Sequence, residues 1–507
     1  MAAAHGDRMA LTDATGSVTW SELDERVNRL VDALRNRGLR PGATVVVLAG
    51  NQRQVVEVIL ACMHGGWLVV PVNRHWVADE LAYVLDDTDA QAVVVGEPYV
   101  EVASAAIAVA DHRPDLRVVI GSEPHDGFEG YDDVVASGSP SEIADPRFGG
   151  PMFYTSGTTG RPKAVRSRLN DLSSPVEAWR TIGEGIGAGV GVTGPGSVLL
   201  LTGPIYHSVQ WVYTFGTLLN GSAVIIEPAF DPAQVLLDID RHGATHVHLV
   251  PTQMVRLLRL DDEQRAAFDG SSLRRVFHGA AACPEWVKRA MIEWWGPVIT
   301  EYYGGTEAGF LTSISSAEWL EHPGSVGRPG PNVELTIVDD AGAPLPARTP
   351  GLIHFRNLAG HDFEYHNAAE KTAKAHPAAG VGTLGDVGWV DEDGYLYLSD
   401  RQVDMIVSGG VNIYPAEVER ALGEHPLVAD LAVVGVPDEE MGESVAAMIE
   451  TVGNVPLDAD LIAELDAFCR SRIAGYKRPR TWRAIDRLPR NEIGKVSKHQ
   501  VRELLKG

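Results

Sequence analysis

The chain of 507 residues is poor in cysteine, in long apolar runs and in positive charge. Its three scattered cysteines, Cys62, Cys283 and Cys469, form neither a disulfide framework nor a CxxC metal motif, so a reducing, cytoplasmic location is expected. No run of about 18 apolar residues occurs, and the first residues lack the apolar core of a signal peptide, so no membrane span is expected. The formal net charge of −25 argues against nucleic acid as a partner.

Alternating strand and helix patterns predict an α/β fold. Short β-rich runs such as ATVVVLAG (43–50) alternate with segments of helical spacing, which is typical of βαβ units and a mostly parallel sheet. The alternation occurs in two series, so two α/β layers are expected, followed by a small β unit and a final α+β stretch. We therefore predict a large N-terminal domain over residues 1–400 and a smaller, mobile α+β domain over residues 401–507.

The segment TSGTTGRPK, Thr155 to Lys163, indicates a phosphate site. Its glycines and small hydroxyl side chains let N–H groups and hydroxyls converge on an anion, and the lysine adds a positive charge. The spacing GxxxxGK[ST] of a Walker A loop is absent. A glycine run at 183–191 does not match GxGxxG either, and it is expected to be a flexible surface loop.

This loop and five later motifs resemble the ANL superfamily of acyl-adenylate-forming enzymes, and in particular its acyl-CoA ligases. The later motifs are EYYGGTE (301–307), GD (385–386), SDRQVDMI (399–406), SGGVNIYPAEVE (408–419) and PRNEIGKVSK (489–498). The resemblance covers nearly the whole chain and includes terpenoid-acid ligases of the platensimycin/platencin type. It implies that a carboxylic acid and ATP give an acyl-adenylate, which coenzyme A then converts to a thioester.

The resemblance also implies a nucleotide site that holds Mg²⁺. Glu307 is expected to bind Mg²⁺ and Thr306 to contact the α-phosphate, while Lys495 bridges the carboxylate and the α-phosphate. Tyr303 is expected to lie on the adenine, with the backbone of HGAAA (278–282) along the adenine edge. Asp386 and Arg401 are expected to bind the ribose hydroxyls. The residues expected to bind the nucleotide are Thr155, Ser156, Gly157, Thr158, Thr159, Gly160, Lys163, Gly279, Ala280, Ala281, Tyr302, Tyr303, Gly304, Asp386 and Arg401.

Coenzyme A and the acyl group are expected on other surfaces. The segment Ser408, Gly409 and Gly410 is expected to pass close to the pantetheine arm, and Lys477 joins it from a basic cluster. The residues expected to wall the acyl pocket are His207, Trp211, Tyr213, Gly216, Met254 and Gly305. The small residues of HGAAA (278–282) opposite them predict room for a bulky, apolar acid such as a fatty or polycyclic terpenoid acid.

Three positions depart from the family pattern and carry a further expectation. Ala164 stands where the phosphate loop usually has glycine, and Val403 occupies the hinge site, which is usually Asp or Lys. Val407 stands four residues further on, where the family often has lysine. If position 164 needs a positive φ, the added methyl group strains the loop, and adenylation is impaired. The enzyme would then chiefly thioesterify an acyl-adenylate supplied by a separate adenylating enzyme. The alternatives are a non-catalytic acid- or nucleotide-binding paralogue and an adenylating enzyme that feeds a carrier protein; a homodimer is left open.

Overall fold

The computed structural model describes most of the chain. The described residues are 5–155, 162–192, 194–401, 404–408, 411–438, 441–473, 475–490 and 495–506, without the side chains of Arg168, Asp400, Arg401, Val411 and Asn412. Within them, the helices are α1 (Trp20–Asn36), α2 (Arg53–Gly65), α3 (Ala78–Asp87), α4 (Val100–Val109), α5 (Tyr131–Ala136), α6 (Ala178–Val190), α7 (Ser208–Leu219), α8 (Pro232–His242), α9 (Pro251–Leu258), α10 (Asp262–Ala267), α11 (Glu285–Trp295), α12 (Ser316–Glu321), α13 (Ala369–Ala375), α14 (Pro415–Gly423), α15 (Ala459–Arg470) and α16 (Lys498–Lys506).

The strands of the described residues follow in chain order. They are β1 (Met9–Asp13), β2 (Gly16–Thr19), β3 (Thr44–Leu48), β4 (Leu68–Pro71), β5 (Ala92–Gly96), β6 (Leu116–Ile120), β7 (Glu129–Gly130), β8 (Gly150–Pro151), β9 (Phe153–Thr155), β10 (Lys163–Arg166), β11 (Val198–Leu201), β12 (Ala223–Ile226), β13 (His246–Leu249), β14 (Arg275–His278), β15 (Ile299–Gly305), β16 (Gly309–Ser315), β17 (Arg328–Pro329), β18 (Val333–Val338), β19 (Gly351–Asn357), β20 (Glu364–Tyr365), β21 (Asp386–Val390), β22 (Leu396–Arg401), β23 (Ile406–Ser408), β24 (Val411–Ile413), β25 (Val428–Asp438), β26 (Gly442–Thr451) and β27 (Thr481–Ala484).

Two large sheets form the predicted α/β layers. The first, of six strands in the order β7-β6-β5-β3-β4-β8, is parallel throughout. Its strands β3 and β5 are buried along their whole length, because helices cover both faces of a parallel sheet. The second sheet has nine strands in the order β17-β16-β15-β14-β13-β11-β12-β1-β2. The predicted α/β class is confirmed.

Three smaller sheets complete the fold. Strands β20-β10-β9 form one of them, next to the phosphate-loop motif, and β18-β19-β21-β22 form the predicted β unit. The remaining sheet, β24-β23-β26-β25 with β27 beside β26, starts at Ile406. The predicted boundary at residue 400 therefore falls at the end of β22, and it stays a prediction. Among the described residues, no helix is long and apolar enough to cross a membrane.

The glycine run at 183–191 is a helix, so the expected flexible loop is wrong. Helix α6 covers Ala178–Val190 and packs on α7. A Cβ added at Gly187 would lie 2.5 Å from the Val192 carbonyl oxygen, and one added at Gly183 would lie 2.6 Å from Leu219 Cβ. The glycines on this face are thus needed for close approach of the two helices, and the exposed ones are simply tolerated.

Candidate active site

Strands of two sheets bring the predicted adenine and ribose residues together. The Tyr303 hydroxyl, at the end of β15, donates a hydrogen bond to Asp386 Oδ2 at 2.7 Å. Asp386 lies opposite Arg401 in the β21–β22 ladder, so both predicted ribose residues share one end of this sheet. Gly304 allows the tight β15–β16 hairpin, because an added Cβ would lie 1.9 Å from the Gly309 carbonyl oxygen. Tyr303, Asp386 and Arg401, predicted from separate motifs, are therefore neighbours in the fold.

The predicted magnesium residue is linked to the phosphate-loop lysine through a tyrosine. Tyr365 donates to Glu307 Oε1 at 2.9 Å, and the Lys163 ammonium lies 4.3 Å from the centroid of the Tyr365 ring. A carboxylate beside a phosphate site is a typical Mg²⁺ donor set, so the residues present fit this ion. Thr155 ends β9 next to Lys163. Ser156 to Gly160 lie outside the described residues.

A hydroxyl pair joins the first turn of α7 to the YGGTE motif. The hydroxyl oxygens of Ser208 and Thr306 are 2.8 Å apart. Next to them, His207 has a buried Nε2 with no partner among the described residues, and burial lowers the pKa of His207 to about 4. Its imidazole is therefore neutral near pH 7, as a pocket-lining residue requires. Asn51 holds the loop before it by donating to Gly203 O (2.8 Å) and accepting from the Ile205 N–H (3.0 Å).

Ala164 lies in a regular strand, which removes the steric premise for impaired adenylation. It is paired with Tyr154 in the β9–β10 ladder and is not among the positive-φ residues. Its methyl group is 1% exposed and lies in an apolar cluster with Met152 and Val72. Because an L residue adopts this conformation without strain, the expected displacement of Lys163 does not follow.

The HGAAA segment is strained and backed by buried charge. Ala280 has φ +66°, a backbone region that a residue with Cβ rarely adopts. Behind it, Lys288 Nζ lies 2.6 Å from Glu301 Oε2 with both side chains buried. Burial lowers the pKa of Lys288 and raises that of Glu301, while their mutual attraction opposes both shifts. The strain sits at the predicted adenine edge, where backbone groups must face the ligand.

The structure separates the predicted acyl-pocket residues. Trp211 and Tyr213 are two positions apart on α7, so they point to different sides of the helix. Trp211 stacks on Phe215 with ring centroids 4.7 Å apart inside the core, and Tyr213 faces the nine-stranded sheet. Met254 lies in the core cluster on the other face of this sheet. A Cβ added at Gly216 would meet Ile186 at 2.3 Å, so this position serves helix packing.

His207, Tyr213 and Gly305 keep a place near the site, and aromatic rings line the opposite wall. An added Cβ at Gly305 would lie 3.4 Å from Glu307 Oε2. The Tyr213 ring lies 5.1 Å from that of Phe277, and the Tyr302 ring lies 4.8 Å from that of Phe310. The expectation of room for a bulky, apolar acid stays a prediction.

Tyr302 points away from the Tyr303–Asp386 pair. Neighbouring strand residues point to opposite faces, so Tyr302 and Tyr303 belong to different clusters. Tyr302 bonds to His248, which in turn bonds to Gln210. Sequence reasoning missed Gln210, His248 and Tyr365, because no family motif contains them. Polar residues within otherwise apolar strands and helices were the available signal.

The C-terminal candidates are described only in part. Ser408 is buried, while Gly409, Gly410 and Val403 lie outside the described residues. Lys477 is ion-paired to Glu417, with Nζ–O distances of 2.6 and 2.7 Å, so its charge is already compensated. Lys495 is half-buried, next to the isolated bridge between Arg490 and Val496. Its proposed role stays a prediction.

Comparison with known families identifies the class of this enzyme. Residues 1–359 match the AMP-binding enzyme family, and residues 417–495 match the AMP-binding enzyme C-terminal domain. The chain therefore belongs to the AMP-binding enzyme family of acyl-adenylate-forming ligases. The predicted superfamily and the class of AMP-forming acid–thiol ligases are confirmed.

Curated relatives cover almost the whole chain. The 3-[(3aS,4S,7aS)-7a-methyl-1,5-dioxo-octahydro-1H-inden-4-yl]propanoyl:CoA ligase of Rhodococcus jostii (strain RHA1) is 32% identical over 98% of this chain and 96% of its own length. A feruloyl-CoA synthase from Amycolatopsis sp is 34% identical over 96% of this chain and 94% of its own.

Solved structures agree with the fold. ATP-bound MatB from Rhodopseudomonas palustris has a TM-score of 0.85 and 28% identity, covering 98% of this chain and 96% of its own. The apo form of MatB gives a TM-score of 0.73 over the same shares. The whole chain thus superimposes better on the ATP-bound than on the apo structure of this neighbour.

Proposed function

We propose that this enzyme is a complete acyl-CoA ligase, which activates a compact cyclic carboxylic acid with ATP and transfers the acyl group to coenzyme A. The main observation is the convergence of Tyr303, Asp386, Thr306, Glu307 and Lys163 from separate motifs around one end of the sheets. Each of these groups has a partner that fixes its orientation. ATP, Mg²⁺ and coenzyme A are the implied substrates and cofactor.

In this proposal, the chain's residues act by positioning and charge compensation. Thr306, held by Ser208, donates to an oxygen of the α-phosphate, and Lys163 attracts the outer phosphates. Lys495 neutralises the negative charge that develops as the carboxylate attacks the α-phosphorus. Glu307 would hold Mg²⁺, which compensates phosphate charge when bound. Asp386 accepts hydrogen bonds from the ribose hydroxyls. The neutral His207 does not balance the negative charge of the substrate carboxylate, so Lys495 supplies the positive charge.

The aromatic acyl site supports a ring-shaped acid of moderate size rather than a long fatty acid. Tyr213, Phe277, Tyr302 and Phe310 form an aromatic floor beneath the site. Flat aromatic walls favour stacked or edge-to-face contact with a ring. Relatives named for an octahydroindenyl propanoyl group and for ferulate support cyclic acids as a class. A fatty or large terpenoid acid would require these rings to move.

Half-reactions measured separately test the proposal. Lys495→Ala should lower acid-dependent ATP–pyrophosphate exchange by about 100-fold or more, the usual effect of losing one transition-state donor. The same variant should convert a synthetic acyl-adenylate to its CoA ester at a rate within about threefold of the wild-type rate, since this step needs no new charge compensation. Lys506→Ala, at an exposed lysine, is the matched control and should change neither rate.

Three outcomes would contradict the proposal. A Lys495→Ala variant with normal exchange would show that this lysine has no part in adenylation. Mixtures of ATP, coenzyme A and a panel of cyclic acids that yield neither AMP nor an acyl-CoA would favour the non-catalytic paralogue instead. Acyl transfer to a carrier protein but not to coenzyme A would favour the carrier-dependent alternative.

A further inference from the structure

Three buried polar side chains form a hydrogen-bonded chain beneath the proposed acyl site. The Gln210 amide nitrogen, on α7, lies 2.9 Å from His248 Nδ1, on β13. His248 Nε2 lies 3.0 Å from the Tyr302 hydroxyl oxygen, on β15. Gln210, His248 and Tyr302 are 2%, 1% and 7% exposed, so water does not compete for these bonds. Buried polar chains of this kind have a definite direction of donation.

The order of donors and acceptors along these hydrogen bonds leaves one hydroxyl proton without an acceptor among the described residues. An amide nitrogen only donates, so His248 Nδ1 accepts from Gln210. Burial lowers the pKa of His248 to about 3, so the ring is neutral and carries its single proton on Nε2. Nε2 then donates to the Tyr302 oxygen. The Tyr302 hydroxyl proton has no acceptor among the described residues.

A second hydroxyl next to the same histidine is also without an acceptor. The Tyr213 ring lies 5.1 Å from the His248 ring, and Tyr213 is 1% exposed. Its hydroxyl oxygen is buried and has no hydrogen-bond partner in the described part of the chain. Buried hydroxyls are nearly always satisfied in folded proteins, so two unsatisfied donors at one place indicate a missing acceptor.

The two hydroxyls lie close to the reacting groups. A Cβ added at Gly279, in the predicted adenine-binding segment, would lie 2.6 Å from Tyr302 Cζ. Tyr302 precedes Thr306 by four residues on the same strand and hairpin. The Ser208–Thr306 contact places the first turns of α7, which carry Gln210 and Tyr213, beside that hairpin. An acyl group held at Thr306 would therefore extend toward these tyrosines.

We propose that Tyr302 and Tyr213 determine substrate specificity by donating hydrogen bonds to an acceptor oxygen on the ring end of the acyl group. The preferred acid is then a cyclic acid that carries a carbonyl or ether oxygen remote from its carboxylate. This inference rests on the proposed acyl-CoA ligase function. It reassigns Tyr302 from the nucleotide to the acyl group.

A matched pair of acids tests the inference. 4-Methoxycinnamic and 4-ethylcinnamic acids have the same number of heavy atoms, but only the first has an ether oxygen. We expect wild-type kcat/KM for AMP formation to favour the methoxy acid by about tenfold or more, because a site with buried donors rejects an analogue that leaves them unpaired. In Tyr302→Phe the preference for the methoxy acid should fall to about twofold or less.

Stability measurements give an independent readout that needs no substrate. Tyr213→Phe removes a hydroxyl without a partner, so the Tm of the substrate-free protein should be unchanged or higher. Tyr131→Phe is the matched control, because the buried Tyr131 hydroxyl donates to Glu57 Oε2 at 2.7 Å. This control should lower the Tm by about 2 °C or more.

The outcomes separate this inference from the proposed function. Equal kcat/KM for the two acids in the wild type, or a methoxy preference that survives in the Tyr213→Phe/Tyr302→Phe double variant, would overturn the inference and leave the ligase function standing. A Tyr213→Phe Tm that falls as far as that of Tyr131→Phe would overturn it as well, because the hydroxyl would then have an internal partner. If no acid forms a CoA ester, the proposed function fails, and the Tm comparison still decides the state of Tyr213.

Discussion

Neighbouring residues in this enzyme have different hydrogen-bond partners because of strand geometry. Tyr302 and Tyr303 are adjacent in β15, yet one bonds to His248 and the other to Asp386. Side chains alternate between the two faces of a strand, so a motif read as one unit splits into two sites. Helix geometry separates Trp211 from Tyr213 on α7 in a similar way, because residues two positions apart on a helix do not share a face. Role assignment from a motif therefore needs the direction of each side chain.

Ala164 provides the test of the impaired-adenylation hypothesis at the residue scale. Because Ala164 has ordinary strand geometry and a buried methyl group, Ala164→Gly should leave ATP–pyrophosphate exchange within about twofold of the wild-type rate. It should lower the free energy of unfolding by about 1–2 kcal/mol, through the lost methyl burial and the greater backbone freedom of glycine. Exchange assays and urea unfolding measure the two effects. An exchange rate that rises about tenfold or more would restore the hypothesis that this methyl group impairs adenylation.

At the scale of elements, the helix pair α6–α7 packs behind the proposed acyl site. Helix α7 carries His207 at its N-terminal cap and Gln210 and Tyr213 in its first turns, and it packs on α6. The contact is close because Gly183, Gly187 and Gly216 have no side chains to separate the two backbones. A loop-like glycine run in the sequence is thus the packing face of a helix that positions the site.

The two classes of glycine in α6 predict opposite effects of alanine. In Gly187→Ala the new methyl group would lie 2.5 Å from the Val192 carbonyl oxygen, so the free energy of unfolding should fall by about 1–3 kcal/mol. In Gly185→Ala, where an added Cβ meets nothing within 4 Å, it should rise by about 0.5–1 kcal/mol, because alanine favours the helix. Urea unfolding of both variants measures the difference. Equal effects of the two substitutions would contradict the packing of α6 on α7.

At the scale of the whole molecule, several imidazoles are buried in the neutral form in and around the nine-stranded sheet. Burial lowers the pKa of His207 and His246 to about 4, that of His248 to about 3, and that of His278 well below its usual value. His207, His248 and His278 lie beside the proposed acyl and adenine sites, whereas His246 lies at the start of β13, opposite Arg275. Because these histidines must stay neutral in the folded protein, the stability of the fold depends on pH.

The stability of the enzyme should therefore fall in mild acid. The folded-state pKa of each of these histidines lies below the unfolded value of about 6.5, so unfolding takes up protons below that pH. The stability they contribute is fully present above about pH 6.5 and is lost as the pH falls toward 4. Urea midpoints from pH 7.5 to 4.5 measure the loss. His246→Gln should reduce the slope, whereas His499→Gln, at an exposed position, should not; a flat profile in the wild type would contradict the neutral buried state.

Much of the architecture was predictable from local patterns in the sequence. Alternating β-rich and helical segments predicted the two α/β layers. The family motifs predicted the nucleotide residues, because their glycines and phosphate-binding residues occur at constant spacing. The network around Glu307 and Asp386 agrees with those motifs. The backbone conformation of Ala164 was not predictable, since φ at one residue depends on how its strand is paired.

The acyl site depended on long-range packing, and for that reason it was predicted poorly. Gln210, His248 and Tyr302 come from three elements far apart in the chain, and their hydrogen bonds exist only when α7 lies on the nine-stranded sheet. Small residues at 279–282 suggested an empty pocket, yet the Tyr302 ring occupies the space beside Gly279. Motif spacing is a local property and specifies the chemistry of adenylate formation. Which face each side chain takes, and which space a neighbouring ring fills, follow from how sheets and helices pack, and these decide which acid the enzyme accepts.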